Sequence, residues 1–130
     1  MPYLLDTTVF IDQVEDAFGV ASVIDGLFEE TGDLYTCDAV VAEVTSKGSE
    51  AQVKEAERLI SALEYVATSP AAARRAGELR RLRGQTSHRR LGDALIAAVA
   101  WSLGATVVTR NPDDFAAYGV PVLAYGQAVG

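Results

Sequence analysis

The stretch "LGDALIAAVAWSL", Leu91 to Leu103, limits what this chain can become more than any other. It is apolar nearly all round, with Asp93 as its one charge, so a helix built on it is central and buried. Such a helix needs other elements to cover it, and the chain supplies short apolar strands before and after it. Residues 3 to 5, "LYTC" (34–37), "ATVVT" (105–109) and "VPVL" (120–123) read as strands, with "YVAT" (65–68) as a further brief one. Between them lie helical patterns. Val20, Val23, Ile24, Leu27 and Phe28 fall on one face of a helix ending at Thr31-Gly32. Asp38 is placed to N-cap "AVVAEVTSK", which stops at Gly48, and residues 50 to 64 form an amphipathic helix. Pro70 suits the first turn of an arginine-bearing helix, "GQTSHRR" (84–90) reads as a loop or frayed helix end, and "NPDDF" as a turn opening a short helix. Strands alternating with helices imply an α/β sandwich around a mostly parallel sheet. At 130 residues, with no internal repeat or linker, residues 1–130 make one domain.

Composition removes several classes of chemistry. A single cysteine, Cys37, allows no disulfide framework, and a single histidine, His88, leaves no histidine-based metal site. No signal peptide is visible, and the longest uncharged run, Ala94 to Thr109, is too short to span a bilayer, so a cytoplasmic protein without a membrane partner is expected. The net charge of −7 argues against general affinity for nucleic acid. Its distribution is uneven. Residues 1 to 46 carry ten acids and no Lys or Arg, whereas residues 74 to 90 carry seven of the eleven basic residues against Glu78 alone.

Within this frame four acids stand on otherwise apolar elements. In an open parallel sheet, ligands bind beyond the carboxyl ends of the strands. Asp6 ends the first strand, while Asn111, Asp113 and Asp114 follow the "TVVT" strand, so both groups belong at one edge. Each has a plainer reading: Asp6 with Thr7 and Thr8 caps the next helix, and Asn111-Pro112 opens a turn capped by Asp113 or Asp114. Glu43 lies mid-helix on a core-leaning face, where a carboxylate costs free energy unless paired; Lys47, one turn on, is its candidate partner. Asp93 either caps the apolar helix or pairs with Arg89 or Arg90. Taken together, four acids converging on one rim repel: two carboxylates ~5 Å apart do so by ~3 kcal/mol at an effective dielectric of ~20. All-oxygen ligation of this kind points to Mg²⁺ or Mn²⁺ and suits metal-assisted phosphodiester hydrolysis.

With "LLDTTVFID", "VVAEV", "LGDALIAAVA" and "TRNPDDF" in this order and spacing, the chain resembles PIN domains, and among them VapC-type toxin ribonucleases, over nearly its whole length. The resemblance implies a PIN-like three-layer α/β/α sandwich with a small central sheet. It implies a metal-dependent endoribonuclease that acts as the toxin of a toxin–antitoxin pair, blocked by a cognate antitoxin and commonly homodimeric, with RNA as substrate. By the same resemblance Asp6, Glu43, Asp93 and Asp114 are the catalytic acids. Thr8 falls where a small polar residue sits beside the metal, and Thr109 and Asn111 match the polar positions flanking the last acid. Asp6, Asp93 and Asp114 are expected to hold the cation directly, while Glu43 either joins them or orients the attacking water. The position before Phe115 favours Asp114 over Asp113.

The arginine stretch fits an RNA-backbone contact, although exposed arginines on a helix are usually a solvated face. His88 reads as a loop residue and Cys37 as a small buried one. Tyr3, Tyr35, Tyr65, Tyr118, Tyr125 and Trp101 read as core or interface residues. A haloacid-dehalogenase-like phosphotransferase would want an aspartate where Thr8 stands and a late lysine, and a response-regulator receiver an acidic pair at its first strand and a lysine where Thr109-Arg110 stands. Lys47 and Lys54 are the only lysines, so both readings fail. The remaining rival is a PIN-like module that binds RNA or protein without cutting.

Overall fold

The structure, a computed structural model, describes residues 1–84 and 90–127. Among these, five strands form one sheet: β1 (Tyr3–Leu5), β2 (Leu34–Cys37), β3 (Glu64–Val66), β4 (Thr106–Thr109) and β5 (Val122–Ala124). The sheet runs in the order β3-β2-β1-β4-β5, and every pairing is parallel. Parallel strands need crossovers, and the helices supply them: α1 (Thr7–Glu15), α2 (Val20–Glu30), α3 (Asp38–Thr45), α4 (Glu50–Ser61), α5 (Pro70–Leu82), α6 (Leu91–Leu103) and α7 (Asp113–Ala116). The result is the expected α/β/α sandwich, its sheet wholly rather than mostly parallel.

The central strand explains the shape. Tyr3, Leu4 and Leu5 of β1 are all buried because helices cover both faces of the sheet there. Leu4 pairs with Tyr35 on one side and Val107 on the other. The chain leaves β1 towards β2 and later returns to β4 on the other flank. The strand order therefore reverses at β1, and the crevice beyond the carboxyl ends of β1 and β4 is the sheet's switch point.

Helix α6 occupies the bounds its sequence demands. Ala94 and Ile96 to Ala100 are buried, and Gly104 closes the helix in the left-handed region at φ 63°. Its two ends are less covered than an all-apolar pattern suggests, for Leu91 and Trp101 are exposed. Other boundaries move for local reasons. Asp38 is the first helical residue of α3, with Cys37 at the cap position. Its carboxylate accepts from its neighbour Ala39 N–H and from both the N–H and the hydroxyl of Thr68, tying α3 to the segment after β3. That helix ends at Thr45, short of Gly48, where the Ser46 hydroxyl donates to the Glu43 carbonyl. Ser49 and Gln52 form a reciprocal capping box that starts α4. The same helix stops at Ser61, because Glu64 already belongs to β3. Strand β4 begins at Thr106, since the Ala105 N–H is spent on the Ala100 carbonyl at the end of α6. The last strand starts after Pro121, whose carbonyl accepts from Val107.

Candidate active site

Four elements bring their acids to the switch point. Asp6 follows β1 directly and holds the N-cap position of α1, yet its side chain makes no capping bond. Its Oδ2 accepts instead from two hydroxyls, Thr109 at 2.8 Å and Thr8 at 3.0 Å. The plain capping reading of Asp6 therefore fails on its side chain. Thr8 and Thr109 are in turn held by backbone donors: Arg110 N–H reaches Thr8 Oγ1 at 3.1 Å, and Asn111 N–H reaches Thr109 Oγ1 at 3.0 Å. Asn111 joins the site through this N–H, its residue being exposed.

Glu43 arrives from the middle of α3. Its Oε1 accepts from the Thr7 hydroxyl at 3.4 Å, and no ion pair joins it to Lys47 among the described residues. The carboxylate lies against the backbone of α6, where a Cβ on Gly92 would come within 2.5 Å of Oε1. Glycine at 92 therefore makes room for Glu43. Asp93 sits in the first turn of α6 and not at its cap, a place taken by Arg90 in the left-handed region at φ 65°. That leaves its carboxylate free of a capping role. Asp114 lies in α7 and pairs with Arg90 at 3.3 Å. Asp113 beside it is exposed, whereas Asp114 is half-buried and close enough to act on Asp93. Arg89 and His88, weighed as a partner and a loop residue, lie outside the described residues.

The acids feel one another. Burial raises the pKa of Asp6, and the Thr109 and Thr8 hydroxyls pull it back. Glu43 is raised by burial and by the charge of Asp6, with the Thr7 hydroxyl opposing. Asp93 is pushed up to about 7, by burial first and then by the charges of Asp6, Asp114 and Glu43, against a pull from Arg90. Among the described residues, Arg90 opposes the charge on Asp93 and pairs with Asp114, and Lys47 eases Glu43 from a distance, so the positive charge at the cleft falls short of its four acids.

The donor set is oxygen throughout, the chemistry a hard divalent cation takes. Among the described residues no three carboxylates, imidazoles or thiols already form a ligating group. A hard cation that keeps several waters needs only one or two carboxylates, so a ready-made set of three ligands is not a requirement for binding one.

Two features escaped the reading of the sequence. Asp12, on the buried face of α1, is fully buried; its Oδ2 accepts from Arg110 Nε at 2.8 Å and from the Tyr125 hydroxyl at 2.7 Å. A carboxylate inside the apolar run "VFIDQV" was the available signal, the same one that singled out Glu43. The second feature is a cavity of about 360 Å³ between α1, α3 and α4, lined by Phe10, Ile11, Val14, Val44 and Ala56, with Thr7 and Glu43 also on its wall. Of the aromatic residues, Tyr3, Tyr118 and Tyr125 are buried, while Tyr65 and Trp101 are exposed. Cys37 is buried, as expected. In the arginine helix, Arg75 stacks on Trp101 at 5.0 Å and pairs with Glu78 at 3.7 Å, while Arg74, Arg81 and Arg83 face solvent.

An all-parallel sheet with acids gathered at its switch point defines an α/β protein with a carboxylate-lined cleft. The chain belongs to the PIN domain family, whose model matches residues 3–121. Solved structures of similar fold include VapBC assemblies. VapBC2 from Rickettsia felis, bound to a DNA fragment from its promoter, aligns at TM-score 0.78 and 23% identity, covering 96% of this chain and 99% of that one. DNA-bound VapBC from Salmonella typhimurium aligns at 0.77 and 22%, covering 95% and 98%. VapBC-5 from Mycobacterium tuberculosis, a toxin–antitoxin system, aligns at 0.62 and 26%, covering 95% and 98%. No curated protein is similar enough to the chain to count as a match. No helix among the described residues is long and apolar enough to cross a membrane.

Proposed function

We propose that this protein is a metal-dependent endoribonuclease and the toxin of a toxin–antitoxin pair, cutting RNA phosphodiester bonds at the Asp6, Glu43, Asp93 and Asp114 cleft. The observation that carries the reading is the mutual electrostatic coupling of these acids at the switch point, where Arg90 opposes the charge on Asp93 and pairs with Asp114. Membership of the PIN family and the likeness in fold to VapBC assemblies support it. Asp6, Asp93 and Asp114 would hold Mg²⁺ or Mn²⁺ directly. When bound, the cation would neutralise phosphate charge and lower the pKa of an attacking water. Two hydroxyls fix Asp6 through Oδ2. Glu43, held by Thr7, orients a water rather than binding the ion, since Mg²⁺ tolerates few direct carboxylates. The exposed arginines of α5 offer phosphate contacts that offset the protein's negative charge.

The cognate antitoxin belongs to the same reading. The apolar cavity beside Glu43 supports it, because a segment seated there would cover one edge of the cleft. A cytoplasmic homodimer completes the reading. The test is cleavage of a mixed RNA pool by purified protein with Mg²⁺ or Mn²⁺, beside an EDTA control and Asp93→Asn. Discrete products that vanish with both controls support it. Absence of cleavage by folded wild type, with both metals, favours the non-cutting PIN-like module.

A further inference from the structure

The turn that follows β4 is fastened more heavily than a surface turn needs. Arg110 sends its Nε to buried Asp12 at 2.8 Å, and its guanidinium lies over the Phe18 ring at 4.4 Å. Its carbonyl accepts from the Gln127 amide at 2.7 Å, which also donates to the Tyr125 carbonyl. Tyr125 closes the arrangement by donating its hydroxyl to the same Asp12 oxygen. Gly126 lets this last segment approach, for a Cβ there would come within 2.9 Å of Phe18 Cβ. Three contacts, from α1, the turn before α2 and the segment after β5, thus converge on Arg110, and Tyr125 and Gly126 tie those anchors to one another.

The same residue's N–H donates to Thr8 Oγ1, and the next N–H donates to Thr109 Oγ1. Each hydroxyl that accepts from the backbone has its own hydrogen left to give, and each lies within reach of Asp6 Oδ2. Hydroxyl rotors are otherwise free to turn. Here two fixed N–H groups orient them, and Asp6 receives both hydrogens on one oxygen.

We propose that Arg110 is a positioning residue for the cation site: anchored by Asp12, Phe18 and Gln127, it fixes the 110–111 backbone so that the Thr8 and Thr109 hydroxyls hold the Asp6 carboxylate in one orientation through Oδ2. The inference rests on the metal-dependent reading above. It makes the Asp12–Arg110 pair, one helical turn and more from Asp6, part of the site's construction.

The test is Mn²⁺ affinity, measured by titration calorimetry and Mn²⁺ electron paramagnetic resonance on the whole protein, with folding checked by circular dichroism. Arg110→Ala is expected to weaken Mn²⁺ binding about 10-fold, in the range of losses when a residue behind a metal ligand is removed. Arg110→Lys, which keeps a cation beside Asp12, is expected to recover most of it. Because Arg110→Ala leaves a buried charge unpaired, Gln127→Ala provides an exposed variant that loosens the same turn, with a loss of about 3-fold. Amide exchange of residues 110 and 111 should quicken in both while Val108 stays protected. Unchanged Mn²⁺ affinity in folded Arg110→Ala and Gln127→Ala overturns this inference alone. Failure of wild type to bind Mn²⁺ overturns it together with the metal reading, while binding without RNA cleavage removes only the nuclease reading.

Discussion

Two buried aspartates, Asp6 at the N-cap of α1 and Asp12 within it, have opposite fates. Asp12 is fully buried and meets a guanidinium and a phenol on one oxygen. Asp6, almost as buried at 4% exposure, meets only neutral donors, two hydroxyls among them, and its charge acts on Glu43 and Asp93. Both carboxylates cost free energy to bury, and the protein supplies a cation to one of them only. An ion pair within the chain fastens structure, whereas an acid left among acids is poised for a cation the chain does not supply. The difference separates scaffold from site more sharply than burial does.

The comparison breaks if the two aspartates respond alike to neutralisation. Asp6→Asn should abolish metal-dependent RNA cleavage, lowering kcat by more than about 100-fold, since even residues behind a metal ligand cost 10–100-fold. Stability should hold. Arg110→Ala should do the reverse in emphasis: it leaves Asp12 buried without its cation and is expected to cost about 3 kcal/mol, read as a lower urea midpoint. If Asp6→Asn destabilises the fold as much as Arg110→Ala does, the division of the two sites is wrong.

Asp93 sharpens the comparison through pH. Its carboxyl is raised from the ordinary 3.8 to about 7, so the folded protein holds a proton there that the unfolded chain releases. Stability from this group is therefore greatest at low pH and falls as pH rises from about 4 to about 7. Asp93→Asn removes that loss. Without metal, the variant should be more stable than wild type by about 1–2 kcal/mol at pH 8, and the advantage should shrink towards pH 4. Adding Mg²⁺ should stabilise wild type more than the variant, because a ligand stabilises only the state that binds it. A thermal scan showing equal stability of the two proteins at pH 8 would count against the acid cluster.

Most of the architecture was legible because hydrophobic period and chain punctuation are local. Leu91 to Leu103 reads as one helix from its own residues, and the positions of Asp6, Glu43, Asp93 and Asp114 follow from where their elements begin and end. Hydrogen-bond partners are not local. Asp38 is a good N-cap by sequence, but the Thr68 groups that claim its carboxylate lie thirty positions on. Asp12 and Arg110 are nearly a hundred residues apart, at |i−j| 98, and no periodicity links them. By intrinsic propensity a glycine at 92 only weakens the first turn of its helix. Only the approach of α3 to α6 shows what its missing side chain accommodates.

That approach yields the smallest and most discriminating effect. Gly92→Ala improves intrinsic helix propensity by about 1 kcal/mol. Its new Cβ, however, would stand within 2.5 Å of Glu43 Oε1 and 3.0 Å of Cδ, so the carboxylate must move. The backbone of α6 is held by buried Ala94 and Ile96 to Ala100 and yields less readily than one half-buried side chain. Displacing Glu43 from the Thr7 hydroxyl should lower cleavage by about 10-fold, as small misplacements at reacting groups do, with stability unchanged or slightly raised. Pairing the substitution with Glu43→Gln tests the cause: if Gly92→Ala acts through Glu43, it should cost little more once that carboxylate is gone. Additive losses would mean that Gly92 matters to the site by a route other than Glu43.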